Sequence, residues 1–172
     1  MARDTSFYYS FLVLPAARRQ AIVGVVAGLS TFGLAMVVGL LLQWAYGALG
    51  VPLPEQDVVR HAKDAEGLAA VGAFVVAVVL APFAEEVFWR GIVLPAALRV
   101  APPRTALLLQ AAVFGGMHVD FGLPIMWPLA IPLALVGWLA GWLYLRTASL
   151  GAAVLLHAVF NALNFAFLRV AE

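Results

Sequence analysis

Glu85, Glu86 and Arg90 are ionisable residues set in strongly apolar sequence. Residues 68–83 carry no charge before them, and residues 92–98 carry none after. Ionisable groups at membrane depth are costly and mark functional sites. Glu86 and Arg90 are spaced i, i+4, so they share a helix face and can form an ion pair. Glu85 points about 100° away and has no cation near it in sequence. A carboxylate left free in this way suits general-base work on a water molecule. The alternative for Glu86 and Arg90 is an architectural lock between helices.

Two further polar motifs lie in apolar segments. Phe114 and His118 are four apart, with Gly115 and Gly116 between them. The glycines let another backbone or a substrate come close. His157 and Asn161 also share a face at i, i+4, and Asn164 extends it. A lone buried histidine is usually a satisfied hydrogen-bonding residue, but two at the depth of an unpaired glutamate point to a site. Glu85, His118 and His157 form a donor set that zinc would accept, although no His-Glu-x-x-His pattern is present. A metal-free arrangement is equally coherent. Glu85 and His118 would hold and deprotonate a water, while His157 and Asn161 would donate hydrogen bonds to the oxyanion of a tetrahedral intermediate.

The elements that must position these residues are membrane helices. The 172-residue chain is 65% hydrophobic and 11% charged, against about 25% charged in soluble domains. Its mean hydropathy is +1.00. The net charge of +1 supplies no bulk field for nucleic acid. There is no cysteine, which excludes disulfides, thiolate metal sites and cysteine nucleophiles. The fold class expected is all-α, a polytopic transmembrane bundle of about five to six helices.

Residues 1–20 read as a cytoplasmic or interfacial lead-in, with aromatics for lipid and arginines for headgroups. The stretch from Ser6 to Gln20 is similar to the opening segment of squalene and phytoene synthases, but their Asp-rich diphosphate motifs do not follow. No function is carried over from it. Residues 21–66 hold the first span, 21–49, and a polar loop, 50–66. In the first span Gly24-x-x-x-Gly28 has the small-residue spacing of close helix contacts.

The remainder, 67–172, forms the core. Residues 67–100 are too long for an upright span, and Pro82 should kink them. They read as two arms, 68–81 and 83–99, with the acidic motif just past the bend. A short helix, 105–119, is followed by spans at 125–145 and 150–170. Six arginines (Arg3, Arg18, Arg19, Arg99, Arg104, Arg146) fall on one side, against Arg60, Lys63 and Arg169 on the other. This predicts a cytoplasmic N-terminus. At 1.5 Å per residue, Glu85 lies about 21 Å from Arg99, His118 about 21 Å from Arg104, and His157 about 16 Å from Arg146. The three motifs therefore fall at similar depth.

In order along the chain, Glu85-Glu86-x-x-x-Arg90, Phe114-x-x-x-His118 and His157-x-x-x-Asn161 resemble the signature motifs of the CAAX-protease and bacteriocin-processing (Abi) family of intramembrane proteases. That family includes the type II CAAX prenyl endopeptidases. The resemblance covers residues 67–170 and extends to Phe88-Trp89-Arg90-Gly91. It implies that Glu85 is the catalytic carboxylate, supported by Glu86 and Arg90. His118 would help activate the water, and His157 with Asn161 would stabilise the oxyanion. It further implies a peptidase acting on a membrane-anchored peptide or protein in the lipid bilayer, in a bacterial plasma membrane. The family's chemistry is described both as metal-dependent and as glutamate-based. A non-catalytic relative, acting as an immunity protein or peptide-binding scaffold, would carry the same motifs. A transporter is disfavoured, because the charges gather at one depth and trace no path.

Overall fold

A computed structural model describes residues 17–54, 57–120 and 122–170. The synthase-like stretch lies outside these residues except for its last four. Those four, 17–20, belong to the first helix.

The described residues are helical and contain no strand. Helix α1 spans Ala17–Ala48 and the short α2 spans Asp57–Asp64. Helix α3 runs over Gly67–Val100, α4 over Pro103–Gly116, α5 over Ala130–Thr147 and α6 over Leu150–Val170. A 3-10 segment, Pro124–Leu129, leads into α5. Four helical segments are long and apolar enough to cross a membrane: α1, α3, the 3-10 segment with α5, and α6. The shorter α4 lies among them. Helix α2 occupies the stretch expected to be a polar loop.

This is an integral membrane protein built inside out. Large apolar side chains such as Ile22, Leu40, Trp44, Leu68 and Ile92 are exposed. Thr31, Glu86, Arg90, Gln110 and His157 are buried. In water that exposed surface would cost heavily; in lipid it is the solvated face.

Small residues set the packing. Glycines 24 and 28 of α1 face α6. A Cβ at Gly24 would stand 2.8 Å from Ala152 O, and one at Gly28 would stand 2.7 Å from Val159 Cβ. The pairing advances in the same direction on both helices, so α1 and α6 run parallel. Glycines 33 and 39 meet nothing within 4 Å. On α5, a Cβ at Gly137 would lie 2.9 Å from Phe114 Cδ1, and one at Gly141 would lie 2.7 Å from Leu107 Cδ1. Here the order reverses, so α4 and α5 are antiparallel. The backbone that approaches Gly115 is that of α5: a Cβ there would lie 2.6 Å from Ala134 N. Among the described residues, hydrogen bonds between segments tie the rim opposite the arginine-rich ends. Tyr46 OH donates to Ile125 O, and Arg169 Nη1 donates to Ala65 O at 2.9 Å.

Helix α3 would be about 51 Å long if straight, well beyond a hydrocarbon core of about 30 Å. The bend expected at Pro82 takes the form of a π turn over Val76–Leu80. A second π turn, Trp89–Val93, precedes Pro95. A proline ring clashes with the carbonyl four residues back. Widening that turn by one residue relieves the clash without ending the helix. Helicity therefore continues from Gly67 to Val100, where the sequence suggests two arms.

Candidate functional site

The two glutamates have opposite environments. Glu86 is fully buried. Its Oε1 accepts from Arg90 Nη1 at 2.9 Å and pairs with His157 Nδ1 at 2.9 Å. Arg90 Nε lies 2.9 Å from Glu86 Oε2 in ionic contact, although its N–H does not point along that contact. Arg90, also fully buried, sends Nη2 to Gly137 O at 2.7 Å. The i, i+4 pair expected from sequence is thus present, and it extends to His157 on α6 and to the backbone of α5. Pairing and hydrogen bonding are what let buried charges persist.

Glu85 is 31% exposed and faces His118. Its Oε2 lies 3.7 Å from His118 Nε2, and this oxygen is buried with no hydrogen-bond donor among the described residues. His118 Nδ1 lies 2.6 Å from Phe114 O. A carbonyl only accepts, so Nδ1 carries a proton, and Nε2 is the ring nitrogen turned toward Glu85. The 3.7 Å between Nε2 and Oε2 is beyond direct hydrogen-bond range.

Phe114 forms the wall between the two groups. Its buried ring lies 4.8 Å from the His118 ring, 5.7 Å from the His157 ring and 5.7 Å from the Trp89 indole. The Arg90 guanidinium stands 5.4 Å from its centroid, within cation–π range.

Asn161 sits on the His157 face of α6, as its spacing indicates, and donates Nδ2 to Ala77 O at 2.7 Å. Asn164 donates to Phe160 O within its own helix at 2.9 Å. Neither amide contacts a glutamate through these bonds.

Gln110 is a member of the cluster that motif spacing missed. It is buried, and its Nε2 donates to Gly137 O at 2.9 Å, sharing that carbonyl with Arg90. A signal existed: Gln110, Phe114 and His118 lie at i, i+4 and i+8 on one face of α4. Gly137 offered none, because its contribution is a backbone carbonyl.

The donor set considered for zinc comprises Glu85, His118 and His157. The His157 Nδ1 is engaged by Glu86. Among the described residues, no group of three or more His, Asp or Glu is arranged to hold a metal ion.

Fold and site together define a polytopic membrane protein with a polar, partly accessible centre between its helices. A family model described as Type II CAAX prenyl endopeptidase Rce1-like matches residues 67–163, more than half of the chain. The chain belongs to that family, which is a family of proteases. No curated protein and no solved structure matches it.

Proposed function

We infer that the protein is an intramembrane endopeptidase that hydrolyses a peptide bond of a membrane-associated or lipidated substrate through a glutamate-activated water. The observation that carries this reading is the division of labour between adjacent carboxylates. Glu86 is spent on Arg90 and His157, whereas Glu85 is partly open and shares a 3.7 Å gap with His118. A water seated beside this pair, rather than between the two atoms, can be held by both side chains. Glu85 is the general base and His118 orients the nucleophile. Attack on the scissile carbonyl carbon breaks its π bond and leaves a tetrahedral oxyanion. The proton taken by Glu85 then passes to the leaving amine as the C–N bond breaks.

His157 is the candidate oxyanion donor. Its Nδ1 is engaged by Glu86, so Nε2 is the ring nitrogen left to face the oxyanion. Asn161, the other expected donor, has one amide N–H on Ala77 O.

The test is cleavage of a membrane-anchored peptide by purified protein in proteoliposomes. Glu85→Gln and His118→Ala should each lower turnover by about 10²–10⁴-fold with folding retained, the range for losing a general base or its partner. Wild-type rates in both variants would sink the mechanism. Rigorous chelation should leave the wild type active; loss of activity that zinc restores would replace this reading with metal-assisted hydrolysis.

A further inference from the structure

We propose that Asn161 is a positioning residue that locks the rotational phase of the motif helix by replacing the hydrogen-bond donor removed by Pro82. In the π turn the backbone N–H of Ala81 bonds Val76 O, five residues back. Two backbone groups are in register to serve Ala77 O. One is the N–H of Ala81, which is already on Val76. The other belongs to residue 82, a proline with no N–H. Ala77 O is therefore left without a backbone donor at the point where the helix widens. A carbonyl unsatisfied in the bilayer interior is costly. Asn161 Nδ2, from α6, meets this carbonyl at 2.7 Å.

The consequence reaches the site because a π turn inserts one residue into the helical register. The segment beyond it is turned by about 100° relative to a regular helix. Glu85 and Glu86 stand three and four residues past Pro82. Their facing, Glu86 toward His157 and Glu85 toward His118, depends on where that extra residue sits. His157 and Asn161 are one turn apart on α6, so the two grip α3 together. One holds the carboxylate and the other holds the turn that aims it. The inference deepens the peptidase reading and rests on it for its consequence for catalysis. The hydrogen-bond replacement itself is a statement about folding.

A double-mutant cycle tests it on the full chain in micelles, with denaturant unfolding as the first readout. Asn161→Asp, near-isosteric but without an amide donor, should lower the folding equilibrium constant. In a Pro82→Ala background the new N–H can serve Ala77 O, so the same change should cost about ten-fold less, a coupling within the range seen for contacting residues. Additive effects would overturn the proposal. If Asn161→Asp fails to fold, the double variant must recover folding, and failure of both also overturns it. Turnover is the second readout. Pro82→Ala should restore part of the activity lost in Asn161→Asp. An amide acting only on the oxyanion could not be rescued from residue 82, would show no coupling in unfolding, and would leave the peptidase reading intact while removing this one.

Discussion

Glu86 and Arg90 lie one helical turn apart, and both are wholly buried. Replacing either with alanine leaves its partner as an uncompensated charge between helices, which costs about 3–5 kcal/mol. Glu86→Ala and Arg90→Ala should therefore show early unfolding in SDS titrations and should lose activity with stability. Glu85→Gln should unfold near the wild-type midpoint, because its side chain is partly open and outside the buried network. A Glu85→Gln variant as unstable as Glu86→Ala would contradict the division between supporting and reacting carboxylates. The i, i+4 spacing made the Glu86–Arg90 pair legible in the sequence. The attachment of His157 to Glu86 was not legible, because it crosses between helices, whereas the facing of His118 and Glu85 was expected from their similar depth.

Between helices, close approach depends on glycines that look alike in sequence. Gly28 and Gly33 both lie on α1, yet only Gly28 faces α6 within contact distance. Gly28→Leu would push against Val159 and the backbone of Leu156, and overpacking of this kind costs about 1–3 kcal/mol. Gly33→Leu meets open space and should be near neutral by the same unfolding measurement. Equal effects would mean that α1 does not pack on α6 through this face. Helix α3 was legible as an over-long apolar segment, and Pro82 as its irregular point. Its continuity was not, because a proline signals a clash without saying whether the helix ends, kinks or widens. That choice depends on a donor arriving from α6.

Across the whole bundle, Arg18, Arg19, Arg99, Arg104 and Arg146 gather at one end. Parallel α1 and α6, antiparallel α4 and α5, and the turns at 101–102 and 148–149 bring those ends together. Among the described residues, no Asp or Glu occurs in 17–24, 96–106 or 143–153. By the positive-inside rule that end is expected in the cytoplasm. The chain has no cysteine, so single introduced thiols report sidedness cleanly. Arg104→Cys should react with an impermeant maleimide only from the cytoplasmic side, and Leu53→Cys only from the opposite side. The reverse pattern would invert the topology and the face from which substrate reaches Glu85.

Composition by itself determined that this chain lives in a bilayer, since 65% hydrophobic residues leave too little polar surface for water. Helical spacing determined which residues share a face on one helix, and with the estimated depths it singled out Glu85, Glu86, Arg90, His118, His157 and Asn161 as candidates. Family membership then follows from a match over residues 67–163. The tertiary structure alone decided how those faces meet. It attached His157 to Glu86, turned Asn161 to Ala77 O, and brought Gln110 and the Gly137 carbonyl into the cluster. The physical reason is rotational. Periodicity sets the angle of a side chain about its own helix axis, but the contact it makes depends on the phase of the neighbouring helix. In α3 that phase is reset at each π turn before a proline.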